Sequence, residues 1–266
     1  MLHGIGAQVL QKGQSVFGFT GLAFDKRNAG ETTGSTEHEQ FRQVSLDGYY
    51  GLTDEVMLRT SIPYVHKRIS SDGETNTASG LGDASVGLTY QVEPHANDKI
   101  LVAFTGDLKL PTGQNSKKDS QGDIEEQHLQ LGSGSTDVQL GVDLTTEAGE
   151  KGLLFGGVSY RRNGSNRRHY HYGDAVFYHL GYSHSISGST VGVAELDGRI
   201  SGKDRQEDGL LDNESGGHLT YLAVSVRQRL SKDLAGILSV QQPIFSNLHG
   251  SQHEGAVFSI SVAKQF

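Results

Sequence analysis

The sequence predicts an all-β fold: a transmembrane up-and-down antiparallel β-barrel of 12 strands, with short periplasmic turns and long extracellular loops. Three observations predict it. Apolar and polar residues alternate with period two in segment after segment. The connections between segments alternate strictly between short and long. The chain ends on an aromatic residue, Phe266, in a segment whose Phe258, Ile260 and Val262 share its face.

In chain order the alternating segments cover 15–25, 40–51, 55–69, 82–92, 99–111, 135–147, 153–163, 174–185, 190–202, 217–230, 234–246 and 255–266. Residues 1–14 precede them as an N-terminal segment placed in the periplasm or in the lumen, so residues 15–266 form the barrel. In the fourth segment Ala84, Val86, Leu88, Tyr90 and Val92 fall on one face, and Asp83, Ser85, Gly87, Thr89 and Gln91 on the other. The fifth sets Ile100, Val102, Phe104, Leu108 and Leu110 against Thr105, Asp107 and Lys109; the sixth sets Val138, Leu140, Val142 and Leu144 against Asp137, Gln139, Gly141 and Asp143. One face suits lipid and the other water. A soluble barrel or sandwich with the apolar face as its core uses the same alternation, so loop sorting has to separate the two.

The short connections are Leu52 to Asp54, Glu93 to Asp98, Ala148 to Gly152, Ile186 to Ser189 and Ser231 to Asp233. The long ones are Lys26 to Glu39, Ser70 to Leu81, Thr112 to Gly134, Gly164 to Gly173, Lys203 to Gly216 and Asn247 to Glu254, all polar and Gly-rich. Tight turns at one rim and long loops at the other, with an even strand number, are what an outer-membrane barrel shows. Tyr50, Tyr64, Tyr90, Tyr160, Tyr182 and Phe245 lean toward strand ends, as an interfacial girdle would. Pro63, Pro111 and Pro243 are expected late in upgoing strands, just before long loops, because proline cannot donate to a ladder.

Bulk properties agree. There are 36 Gly in 266 residues and no Cys or Trp, which leaves little room for helices and none for disulfides or thiolate metal sites. A net charge of -8 removes nucleic acid as a partner. Mean hydropathy is -0.43 and no run of about 18 apolar residues is present. Barrels carry polar lumens and loops, so that average does not argue against a membrane. Met1-Leu2-His3-Gly4 opens with neither a basic nor an apolar segment, so a signal peptide is either already removed or never existed.

Four stretches, taken in order, resemble one family: Gly80-Leu81-Gly82-Asp83; Tyr49 to Asp54 followed by Ser61-Ile62-Pro63-Tyr64; Leu110-Pro111-Thr112-Gly113; and Gly132-Ser133-Gly134-Ser135-Thr136-Asp137. Together they look like the phenol-degradation meta-pathway (MetA-type) outer-membrane transporter-like barrels. The resemblance covers residues 40–145 by motif and the rest by strand order. It implies a Gram-negative outer-membrane, porin-like channel for small, aromatic or anionic organic solutes.

If the polar face lines the lumen, the candidates for selectivity are Arg59, Asp107, Lys109, Arg161, Glu195, Asp197, Arg199, Arg227 and Arg229, with Asp47, Asp83, Asp137 and Asp143 also facing inward. Twelve strands lie between the filled interior of eight and the open channel of sixteen, so charges facing one another there narrow the bore. Such charges act either as a selectivity constriction or as a salt-bridged network that stiffens the wall. Phe266 resembles the signal read by the barrel-assembly machinery. Further expected partners are outer-membrane lipid, lipopolysaccharide and a small-molecule solute, with both termini periplasmic.

No cofactor or metal is expected. His169 and His171 sit in a loop read as plainly solvated, and Asp119, Asp123, Glu125 and Glu126 do not match a calcium-loop spacing. No catalytic motif such as Gly-x-Ser-x-Gly or His-Glu-x-x-His is present, so the chain is read as a non-enzyme. Two alternatives stay open: a structural barrel that anchors a partner or lipopolysaccharide, and a lipid hydrolase using His179, His184 or His218 beside a serine on the outer wall.

Overall fold

A computed structural model describes residues 6–29, 36–71, 74–92, 99–118, 122 and 127–266. Fourteen strands are formed: β1 Ser15–Ala29, β2 Thr36–Gly51, β3 Val56–Ser71, β4 Glu74–Leu81, β5 Ser85–Gln91, β6 Ile100–Lys109, β7 Asp137–Glu147, β8 Gly152–Arg162, β9 Ala175–Ser185, β10 Thr190–Ser201, β11 Gly217–Arg229, β12 Leu234–Leu248, β13 His253–Glu254 and β14 Val257–Gln265. They build a closed antiparallel barrel of twelve staves, because two staves are broken in two. β4 and β5 both pair with β3, and β13 and β14 both pair with β1. β1 also pairs with β2, which closes the ring.

The faces are inverted relative to a soluble protein. Phe17, Phe19, Leu46, Ile62, Leu88, Phe104 and Leu140 are exposed on the outside, whereas Thr20, Ser45, Asp47, Thr89, Thr145, Ser183, Glu195 and Ser261 are buried inside. A soluble barrel or sandwich would reverse this. Only a solvent of hydrocarbon makes the exposed apolar belt favourable, with every backbone group satisfied in the closed ladder.

The segment from Ser70 to Leu81, expected as a loop, is instead the hairpin partner of upper β3, with Tyr64 opposite Leu81 and Ser71 opposite Glu74. As a result β2 and β3 run 16 residues each while β6 runs 10. At about 3.3 Å per residue that is roughly 50 Å of strand against roughly 35 Å. The long-loop end of the wall is therefore tall over β1–β4 and over β12, which runs 15 residues, and lower along β6–β9. β4 pairs with β3 alone, so its other edge carries no strand among the described residues.

Two of the prolines are placed differently from the expectation. Pro63 lies in the middle of β3, where the partner strand breaks from β5 to β4, and its carbonyl accepts from Gly82 N–H at 2.9 Å. Pro243 lies inside β12 opposite Tyr221, at a register shift that opposes Thr220 with Phe245. Lacking an N–H, proline is tolerated at just such irregularities.

Candidate functional site

The lumen face carries one belt of polar side chains whose neighbours are set by strand register. Arg59, Gly87, Asp107, Gln139 and Arg161 stand in one row across β3, β5, β6, β7 and β8. Arg59 donates from Nη2 to Asp107 Oδ2 at 2.9 Å, and Arg161 donates from Nε to Gln139 Oε1 at 3.0 Å. The Arg161 guanidinium also lies 4.6 Å from the centre of the Phe177 ring. A second row runs Asp143, Gly157, His179, Asp197 and Tyr221. His179 Nε2 is 3.4 Å from Asp143 Oδ1, and Glu195, on the same strand and lumen face as Asp197, is buried.

The Arg59–Asp107 ion pair and the His179–Asp143 contact each cross a glycine, and the glycine is what lets them form. A Cβ on Gly87 would sit 2.0 Å from Asp107 Oδ1, and one on Gly157 would sit 2.3 Å from Asp143 Oδ1. In a flat ladder these partners are two strands apart. The missing side chain opens a saddle over which the carboxylate reaches the cation.

Toward the long-loop end, Arg199 donates from Nη2 to Glu254 Oε1 at 2.5 Å, Lys26 stands 3.7 Å from the same oxygen, and Tyr221 donates to Oε2 at 2.8 Å. Burial alone would raise the Glu254 carboxyl, but Lys26 and Arg199 outweigh it and hold it below the usual range. On the neighbouring β2, Asp47 accepts from Thr20, Ser45 and Ser61 at 2.7–3.1 Å.

Three of the four sequence stretches that suggested a family, those around Asp83, Gly113 and Ser133, converge on the Asp83 carboxylate. Its Oδ1 accepts from Gly113 N–H at 2.9 Å, and its Oδ2 accepts from Ser133 N–H at 2.8 Å and from Lys109 Nζ at 3.1 Å. Lys109 also contacts Ser133 Oγ and pairs with Asp137 at 2.6 Å. Thr112 ties the knot to the wall, donating to Gly82 C=O and accepting from Ala84 N–H. Gly113 and Gly132 pack backbone to backbone here, where a Cβ on Gly113 would be 2.8 Å from Gly132 Cα.

This latch folds the long loop inward. Leu129 and Leu131 pack on Val65 and Ala78 of the tall wall, beside Phe41 and Ile69. Lys67 donates to the carbonyls of His128 and Gln130, each at 2.7 Å. The loop read as plainly solvated, Gly164 to Gly173, is instead packed: Asn166 and Tyr170 are buried, and Asn166 bonds Gln127 and Ser133. Burial and the Asp204 carboxylate, which accepts from the hydroxyl at 2.6 Å, push the Tyr170 phenol well above its usual range and keep it a donor. Burial likewise raises Tyr172.

At the short-turn end the N-terminal segment touches lumen-facing side chains. Ala7 is fully buried and donates its N–H to Thr145 Oγ1 at 2.9 Å, and Val9 donates to Gln91 Oε1 at 3.2 Å. Arg227 and Arg229 face inward at this same end. Both are exposed, and neither has an ion pair among the described residues.

All nine lumen candidates thus face inward, and Asp83, Asp143, His179, Tyr221, Glu254, Lys26 and Lys67 join them as partners. The acidic group at Asp119, Asp123, Glu125 and Glu126 lies outside the described residues. Among the described residues no group of three metal-ligating side chains occurs. His184 contacts Tyr182, and His218 contacts Tyr178 and Thr220, and among the described residues neither hydrogen-bonds to a serine. A serine does meet a histidine elsewhere: Ser79 Oγ and His66 Nδ1 lie 2.6 Å apart on the outer face of β4 and β3. No carboxylate contacts His66 among the described residues. Phe266 is exposed beside Phe17, ring centres 6.1 Å apart, with Lys264 Nζ 4.8 Å from its own centre.

Residues 11–242 match the model of the family described as "Putative MetA-pathway of phenol degradation". Among solved structures, the chain is similar over its whole length to an outer membrane channel from Pseudomonas putida F1, with a TM-score of 0.79 at 15% identity and all of that chain covered. It is also similar to the translocator domain of the autotransporter NalP from Neisseria meningitidis, with a TM-score of 0.56 at 11% identity, covering 97% of this chain and 90% of that one. At these identities the likeness is one of fold. No curated protein sequence matches.

Proposed function

The chain belongs to the family named for the MetA pathway of phenol degradation, and from that premise and the lumen geometry we propose that it is an outer-membrane channel for small organic solutes, not an enzyme. The observation that carries the proposal is the lumen belt: a polar interior, walled by cross-strand ion pairs, inside an apolar exterior. Such a wall stabilises water and polar solutes where lipid cannot. Residues 6–14 act as a lumen segment that narrows the short-turn, periplasmic end, and the latched loop narrows the extracellular end. Solutes pass by diffusion through what remains, and Arg227 and Arg229 favour anionic groups at the periplasmic mouth. Arg59, Asp107, Lys109, Arg161, Glu195, Asp197 and Arg199 set the bore, and Phe266 is the assembly signal.

A structural barrel is the competing reading, and one observation favours it: along the lumen wall the cations Arg59, Lys109 and Arg199 each meet a carboxylate, as a wall built for stiffness would require. Liposome swelling separates the two. Vesicles holding the folded barrel swell in small organic anions and neutral sugars if a water path exists, and stay intact if the barrel only anchors. As a non-enzyme it releases no fatty acid from phospholipid or lipopolysaccharide, and a release abolished by Ser79→Ala would overturn that part.

A further inference from the structure

The outer face of β1–β4 changes character along its height in a way the channel does not use. The outward rows, read across β1, β2, β3 and β4 toward the long-loop end, are Phe19-Leu46-Ile62, then Gly21-Val44-Tyr64-Leu81, then Ala23-Arg42-His66-Ser79, then Asp25-Gln40-Arg68-Thr77, then Arg27-His38-Ser70-Thr75. Two apolar rows give way to three polar rows that carry three arginines, two histidines and one carboxylate. That carboxylate, Asp25, is taken by Arg42 at 2.8 Å. Arg27 and Arg68 are exposed and have no carboxylate partner among the described residues.

Directly below the cations the wall is grooved. Gly21 and Ala23 form a low floor between Phe258 and Ile260 on one side and Val44 and Tyr64 on the other, within an apolar cavity of about 780 Å³ that Arg42 and His66 reach. At the same end of β8 and β9 the outward Asp174 carboxylate stands beside the exposed Arg162 and accepts from Tyr160 at 2.7 Å.

We propose that this face is a binding site for lipid A, the diphosphorylated, multiply acylated anchor of lipopolysaccharide. One acyl chain lies on the Gly21–Ala23 floor, and a phosphate meets Arg68 and Arg27, with Arg42, His66 and the Ser79 and Thr77 hydroxyls completing its hydrogen bonds. The charge excess selects a phosphate-rich headgroup over a zwitterionic one, and the site stands at the end of the strands that the outer leaflet contacts. The inference rests on the outer-membrane reading above.

The test uses the full chain, delipidated and reconstituted in phosphatidylcholine nanodiscs, with diphosphoryl lipid A, monophosphoryl lipid A and phosphatidylethanolamine titrated in turn. The expected result is saturable binding of diphosphoryl lipid A, weaker binding of the monophosphoryl form and no preference for phosphatidylethanolamine. Arg27→Glu/Arg68→Glu lowers lipid A affinity by at least about tenfold, and Gly21→Leu, which fills the floor, lowers it as well. Folding of each variant is read from heat-modifiable gel migration. Folded variants that bind lipid A like the wild type, or a wild type that binds phosphatidylethanolamine as tightly, would overturn the site while leaving the channel reading intact. A barrel that will not enter the nanodisc counts against the membrane reading itself.

Discussion

The waist of the lumen and its short-turn mouth carry the same kinds of charge in opposite circumstances. At the waist Arg59 is matched by Asp107, and on the lumen wall toward the long-loop end Lys109 is matched by Asp83 and Asp137 and Arg199 by Glu254. At the mouth Arg227 and Arg229 stand exposed with no ion pair among the described residues. Paired charges in a confined space cancel at a distance and fix one wall geometry. Unpaired ones project a field that a passing ion feels. On the proposed channel reading, the waist sets how wide the path is and the mouth sets what enters it.

If that division holds, the largest effect comes from the saddles. Gly87→Ala places a methyl on the Asp107 carboxylate, separates it from Arg59 and is expected to cost about 2 kcal/mol of unfolding free energy measured in urea. Gly106→Ala, on the lipid face with its nearest neighbour 3.5 Å away, is expected to stay within about 0.5 kcal/mol. Equal losses in the two variants would remove the special role of the waist.

Next in size is the latch. Asp83→Ala strips the acceptor from Gly113, Ser133 and Lys109, so the long loop should swing out. Single-channel conductance then rises and the segment 112–136 becomes cleavable by added protease. Unchanged conductance with a cleaved loop would mean that the loop never narrowed the path. Removal of residues 1–9 should raise conductance more modestly, with little change in stability, since the described part of that segment adds few hydrogen bonds to the wall. Phe266→Ser has the smallest effect on the folded protein. It leaves the urea midpoint within about 1 kcal/mol but lowers the yield of assembled barrel in cells, and an unchanged yield would show that the assembly signal lies elsewhere.

The division between wall faces was legible in the sequence, because period-two alternation in a closed sheet assigns each residue a side whatever its partner. Arg59 and Arg229 could thus be placed inward from parity alone. Partners were not legible. Asp107 is 48 residues from Arg59 and two strands away, and their contact depends on barrel stagger and on a glycine that reads locally as a loop former. Glu254 reached the lumen network from a connection, and β4 was missed because Glu74-Thr75-Asn76-Thr77-Ala78-Ser79 stands above the lipid belt, where no apolar face is needed. Asp83 had a visible signal: three short Gly-rich stretches surrounding it in the chain's order converge on its carboxylate in space.

The division is tested most directly by the reversal potential of single channels in a salt gradient, for the wild type and for Arg227→Glu/Arg229→Glu. The account predicts open steps in both, an anion preference in the wild type, and a shift toward cations in the variant at unchanged urea stability. A folded wild-type barrel that never conducts, or a variant with the same selectivity, would contradict it.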